Sequence, residues 1–288
     1  MPMPLFCKPA GFGVLIQSGA NTAYVASQLP GVPAAKRQAV VDAASSAASG
    51  QTYSSSDVID RLATLAHWWQ PTDTEATGVS IGSTVTTVTP YVGSDTLSQP
   101  TSGNRATFTS AGLQFNGTSN HYSAANVRLT GAGVTAFTLL TVAIASSATN
   151  YQSIFRFQDT STTYQVFPWA GDGVGARLII LNDRNTSGPV ITSAQLNLSQ
   201  ANILTVGWAR NTANSFFAAS NGIVRQVFNG LDTTLNTDTL TVGYYKVSPS
   251  EYFNGTIKTM AIAKRSYTTD ERLSLERFFN FYNGLTIF

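Results

Sequence analysis

Tyr252-Phe253-Asn254-Gly255-Thr256-Ile257, continued by Lys258-Thr259-Met260-Ala261-Ile262-Ala263 and then by Thr268-Thr269-Asp270-Glu271-Arg272-Leu273, is the stretch on which the reading of this chain turns. Asn254-Gly255 is a turn former, because both residues tolerate positive φ. Ile257 to Ile262 has the apolar and β-branched content of a strand. Thr268-x-x-Glu271 is a capping box, in which hydroxyl and carboxylate each satisfy a backbone N–H that the first helical turn leaves unpaired. Leu275, Phe278, Phe279 and Tyr282 then form one apolar stripe, and Gly284 suits the left-handed stop. The stretch is a strand followed by a capped helix.

Upstream, the strand pattern repeats. Val85, Val88, Leu113, Phe115, and the runs 137–144, 154–157, 178–181, 203–208, 216–219, 224–228 and 240–245 are β-branched and aromatic, with Gly, Asn, Asp, Ser or Pro between them. Asn-Gly also occurs at Asn116-Gly117, Asn221-Gly222 and Asn229-Gly230. Short strands at regular spacing, with no helix interleaved from about residue 79 until the last helix, predict an all-β sandwich.

Residues 1–64 read differently. The first thirty or so are rich in Pro, Gly and small side chains without a sustained period, which predicts an extended arm. Pro33 suits a helix start, Ala34 to Ser49 is Ala-rich, and Gly50 is a stop. Ser54 to Ser56 offer N-caps for a second helix, with Asp57 and Asp60 in its first turn and Val58, Leu62, Leu65 and Ala66 at helical spacing. That helix is expected to run into Trp68-Trp69 and stop before Pro71. The expected division is therefore residues 1–64 as an attachment and oligomerisation segment, and residues 65–288 as the sandwich.

Composition bounds the function. Hydrophobic residues make up 43% of the 288, enough for a large core, but charged residues only 11%, against roughly 25% in typical soluble domains. A net charge of +2 without a Lys/Arg run argues against a nucleic-acid partner. The single cysteine, Cys7, excludes an intrachain disulfide and a multi-cysteine metal site. Met1-Pro2-Met3-Pro4 lacks the basic start of a signal peptide, and no apolar stretch is long enough for a membrane span.

Four stretches, in order, resemble the laminin-G-like branch of the concanavalin A-like lectin/glucanase superfamily. They are Leu113-Gln114-Phe115-Asn116-Gly117 with its continuation to Tyr122, Phe137-Thr138-Leu139-Leu140, Thr234-Leu235-Asn236-Thr237 leading into Leu240-Thr241-Val242-Gly243, and the opening stretch itself. Trp68-Trp69 with Asp73 resembles the tryptophan-rich entry strand of such domains. The resemblance implies a jelly-roll sandwich with an N-terminal arm, two short helices and a capping helix. The versions it resembles are encoded in tailed-bacteriophage structural genes. That implies a virion surface protein, in a tail fibre, tail tip or head decoration, made in the host cytoplasm without a signal peptide. It further implies attachment to other virion proteins through the arm, homo-oligomerisation (the trimer being a common form in such parts), and contact with host surface glycans. A stand-alone carbohydrate-binding lectin is the alternative, and a polysaccharide-cleaving enzyme ranks behind both.

The search for chemistry starts from carboxylates. Glycoside hydrolysis needs two, a few ångström apart, yet none of Glu75, Glu251, Glu271 and Glu276 has an acidic partner two or four residues on along a strand. His67 and His121 lie near no nucleophile elbow and read as surface or loop residues. The expectation is a protein that is not an enzyme and has no catalytic residues. Carbohydrate binding needs aromatic platforms, and Trp169, Tyr151, Tyr164 and Tyr245 are the candidates, whereas Trp68, Trp69 and Trp208 read as core. No cofactor is required; calcium is the one ion the loops could hold, through Asp159, Asp172, Asp183 and Asn185.

Overall fold

The computed structural model describes residues 17–125, 127, 135–147, 152–158, 165–166, 168–170, 177–180, 190–195, 197–209, 216–228, 239–244 and 252–288. These residues form a β-sandwich of antiparallel sheets with a few helices. At the centre of a nine-stranded sheet, Ala136–Ala145 pairs with Ala201–Ala209 on one side and Asn254–Ala263 on the other. Phe216–Ser220 and Ile223–Phe228 extend the first side. His67–Trp69 and Pro90–Val92 extend the second, and Gly112–Asn116 pairs with the start of Asn254–Ala263. The second sheet runs Gln165–Val166, Phe155–Gln158, Thr239–Val242, Tyr122–Ala124, Leu97–Ser98, Thr87–Val88. Pro168–Ala170, Arg177–Ile180 and Val190–Gln195 make a separate three-stranded sheet.

Ala136–Ala145 reads as a near-continuous apolar run because both of its faces are covered. One contributes to the core shared with the second sheet. On the other, Thr138 and Leu140 line one small cavity together with Leu275 and Phe279 of the helix Thr269–Tyr282. That helix carries the expected capping box: Glu271 N–H donates to Thr268 Oγ1 at 3.3 Å, and Thr268 N–H to the Glu271 carboxylate at 2.9 Å. Gly284, at φ 64°, makes the stop. Trp68 is fully buried, with Tyr91, Phe278, Phe279 and Tyr282 edge-on around it at ring distances of 5.2–5.6 Å.

The N-terminal helices belong to the same core. Arg37–Ala48 and Ser55–Ala63 pack on Thr269–Tyr282, burying Val40, Val41, Val58 and Leu62. Ser54 caps Ser55–Ala63 through a reciprocal box with Asp57. Asp73 ties the layers together: it accepts from Lys36 at 3.1 Å, Tyr91 at 2.7 Å and Tyr282 at 3.1 Å. No helix among the described residues is long and apolar enough to cross a membrane.

Four local expectations change. Gln17–Gln28 is a helix, with Val25 and Leu29 beyond it buried or burying against its neighbours, where the sequence predicts an arm; packing supplies the stability that its weak periodicity lacks. Ser55–Ala63 ends well before the Trp pair, and His67–Trp69 is a strand because Met260–Ile262 and Pro90–Val92 complete its backbone hydrogen bonds. Asn254-Gly255 begins the strand Asn254–Ala263 instead of a turn. Glycine is needed there for close approach, since a Cβ would strike the carbonyl of Ile144 and the Phe253 ring. His67 is buried, not a surface residue, stacked on Trp69 at 5.1 Å and 7°.

Candidate functional site

The site assembles where strands of the second sheet end. Asn116-Gly117-Thr118-Ser119-Asn120 forms a turn wound around the Asn116 carboxamide, whose Oδ1 accepts the N–H groups of Thr118, Ser119 and Asn120 at 3.0–3.2 Å. Asn120, itself buried, accepts from Asn116 N–H at 2.8 Å and donates to the Arg105 carbonyl at 2.9 Å. This turn delivers His121, immediately before the strand Tyr122–Ala124, at half-exposure. Its N–H donates to the Asn104 carbonyl at 3.1 Å, and its carbonyl accepts from Gln99 Nε2 at 2.9 Å. Nδ1 lies 2.9 Å from the Ser119 carbonyl. A carbonyl only accepts, so Nδ1 donates in this contact and Nε2 is left free of it.

Beside His121 stand two tyrosines. Thr239–Val242 leads through Gly243 to Tyr244, which bridges Tyr252 just before Asn254–Ala263. Gly243 N–H donates to the Ile154 carbonyl at 2.8 Å, and Phe253 N–H to the Gly243 carbonyl at 3.0 Å. Gly243 has φ 78°, and a Cβ there would collide with the Phe115 ring, so the turn admits only glycine without strain. The rings of Tyr244 and Tyr252 stack at 4.6 Å and 23°. His121 lies 5.3 Å from Tyr244 and 6.3 Å from Tyr252, tilted to both. Partial burial and the neighbouring Tyr244 hydroxyl push the Tyr252 phenol above its ordinary value, so it stays neutral and can both donate and accept.

The result is a half-exposed aromatic surface edged by hydroxyl, imidazole and carboxamide groups and anchored on a rigid scaffold. Such a surface can stack against the C–H face of a sugar ring and hydrogen-bond its hydroxyls. Among the described residues no group of three His, Cys, Asp or Glu converges on a metal position.

Of the sequence-predicted site residues, only Trp169 lies within the described residues. Trp169 lies in the strand Pro168–Ala170, opposite Ile179. Tyr151, Tyr164, Tyr245, Asp159, Asp172, Asp183 and Asn185 lie outside the described residues. Tyr244, Tyr252 and His121 were reachable from sequence only as aromatics flanking turn formers: Tyr244 follows Gly243, Tyr252 precedes Asn254-Gly255, and His121 follows Asn116-Gly117. Their convergence is tertiary.

No family model matches the chain, and no curated protein matches it. Solved structures do match in fold. A sialidase from Trypanosoma rangeli, in complex with a difluoro-KDN, matches at TM-score 0.56 and 12% identity over 76% of this chain. This chain spans about a third of that one, 33% of its length. Domain 4 of a GH43 extracellular arabinanase from Geobacillus stearothermophilus, in complex with arabinotriose, matches at TM-score 0.50 and 12% identity, over 74% of this chain and 98% of that one. The fold is thus that of β-sandwiches found in glycosidase chains, in keeping with a concanavalin A-like sandwich. This overturns the expectation that the protein is not an enzyme. That expectation rested on the spacing of carboxylates along single strands, whereas catalytic groups converge from separate strands and chain segments. At 12% identity the likeness carries the fold alone.

Proposed function

We propose that this chain is a carbohydrate-recognising β-sandwich of a sugar-handling protein, and that His121, Tyr244 and Tyr252 form its binding surface. The observation that carries the reading is the stacked Tyr244–Tyr252 pair at 4.6 Å, half-exposed beside His121. The oligosaccharide and sialic-acid-like ligands named for the two structural neighbours support the same class of ligand. A glycan array on the full chain, followed by titration of the best glycan against the wild type and Tyr252→Ala, tests it. Loss of one stacking face and its hydroxyl is expected to weaken binding about tenfold or more, roughly 1.4 kcal/mol, with the melting transition unchanged. Undiminished binding by Tyr252→Ala, or an array without a single hit, would refute it.

A second reading places this sandwich on a phage particle, as a homo-oligomer held through residues 1–64. It draws on the resemblance to tailed-phage domains and on the 11% charged content. Light scattering on the full chain tests it: the mass of an oligomer, a trimer among them, supports this reading, and that of a monomer counts against it.

A further inference from the structure

A groove of about 600 Å³ opens at the end of the nine-stranded sheet where Ala201–Ala209 begins, with neither Tyr244 nor Tyr252 in its lining. Asn197 and Gln200 enter it from the turn before that strand, and Asn221 from the Asn221-Gly222 hairpin. Leu285, Thr286 and Ile287, beyond the C-terminal helix, close the other side. None of the described residues that line it is charged.

Two buried asparagines hold its walls. Asn202, 1% exposed, accepts the Asn197 N–H at 3.1 Å and donates to the carbonyls of Asn197 and Gln200 at 2.9 and 3.0 Å. It also accepts from Asn221 Nδ2 at 3.3 Å, while Asn221 Oδ1 takes the Ile203 N–H at 2.8 Å. On the opposite wall, the fully buried Asn280 accepts the Ile287 N–H at 2.9 Å and, through its carbonyl, the Leu285 N–H at 2.8 Å. Ser199 and Asn221, the two non-glycine residues with positive φ among those described, both sit in the turns that form this groove. Backbone in that region is retained where the surroundings over-determine it, often at binding sites.

Against this fixed frame, the exposed side chains of Asn197, Gln200 and Thr286 are not used in holding the walls. A carboxamide presents a donor and an acceptor side by side, which matches a pair of adjacent hydroxyls, and Leu285 and Ile287 offer an apolar patch to ring C–H groups. An ionic ligand would find no counter-charge among the described lining residues. The volume lies within the range of small-ligand sites, roughly 300–1,000 Å³. From this geometry we infer that the groove is a second binding site for an uncharged, hydroxyl-rich ligand, a neutral sugar. It is separate from the tyrosine surface and rests on its own observations.

The test is the side-chain amide NMR spectrum of the ¹⁵N-labelled full chain, titrated with arabinotriose, maltotriose and, as an anionic control, sialic acid. Expected are saturable shifts at Asn197, Gln200 and Asn221 with at least one neutral trisaccharide. These should weaken at least tenfold in an Asn197→Ala/Gln200→Ala variant and persist in Tyr252→Ala. Both substituted amides are exposed, so the variant should melt with the wild type. No shift up to roughly 10 mM with either trisaccharide, beyond the millimolar end of specific binding, overturns the inference. So does sialic acid binding as tightly there, or shifts that vanish in Tyr252→Ala, which would reduce the two sites to one.

Discussion

Replacing Glu276 by leucine should destabilise the protein by about 3–5 kcal/mol, because it strands a buried cation. Glu276 is 0% and Arg272 4% exposed, one helical turn apart, with Arg272 Nη1 donating to Glu276 Oε1 at 2.6 Å. Thr205 Oγ1, from the sheet beneath, donates to the same oxygen at 2.7 Å. Burial pushes the Glu276 carboxyl above its ordinary value while Arg272 and Thr205 pull it down, so the pair is held at a net desolvation cost. In Glu276→Leu the guanidinium keeps a long contact with the Gly222 carbonyl at 3.4 Å and the Phe217 ring at 5.8 Å, and neither carries a counter-charge, while the Thr205 hydroxyl loses its acceptor. For a domain of this size each kcal/mol moves Tm by about 2–4 °C, so a drop of roughly 6–20 °C follows. The companion variant Arg272→Met/Glu276→Leu removes both charges and should return to within about 1 kcal/mol of wild type. Urea unfolding followed by tryptophan fluorescence measures both. A single variant that costs under about 1 kcal/mol, or a double variant as unstable as the single, would show that the pair does not behave as a buried, mutually dependent unit.

The fold should also respond to acid through His67. Burial lowers its pKa from 6.5 to about 4, against the pull of Asp95, so below pH 6.5 the unfolded chain binds a proton that the native state refuses. That contribution is intact above pH 6.5 and is lost as pH falls towards 4, at up to about 1.4 kcal/mol per pH unit. His67→Phe keeps the stacking on Trp69 and should flatten the stability–pH curve over that window; identical slopes would refute the assignment. Gly243→Ala forces a Cβ onto φ 78° and into Phe115, so a loss of about 2 kcal/mol or more is expected. A changed near-ultraviolet tyrosine signal should accompany it, and a silent substitution would mean that the turn does not set the Tyr244–Tyr252 geometry. Thr268→Ala removes one half of the capping box and should cost about 1 kcal/mol in chemical denaturation, with Thr268→Ser close to neutral.

The sequence by itself determined the strands, the last helix and the sandwich, because those features are local. Two-residue alternation, the Thr268–Glu271 box and the 275–282 stripe act within a few residues of themselves. The burial of Trp68 beneath Phe278, Phe279 and Tyr282 follows from the same apolar pattern. What sequence pattern could not reach was set by pairings across the chain. Gln17–Gln28 is a helix because packing stabilises a segment with little period of its own. Asn254-Gly255 is strand, not turn, because Ile144 runs alongside it and leaves no room for a side chain. The binding surface is the clearest case. His121, Tyr244 and Tyr252 are separated by up to 131 positions in their numbering, and only the antiparallel pairing of Tyr122–Ala124 with Thr239–Val242, and the bridge from Tyr244 to Tyr252, bring their rings within 4.6–6.3 Å. Local propensity records what each residue prefers for itself; a site made of three loops exists only once the sheets have fixed where those loops end.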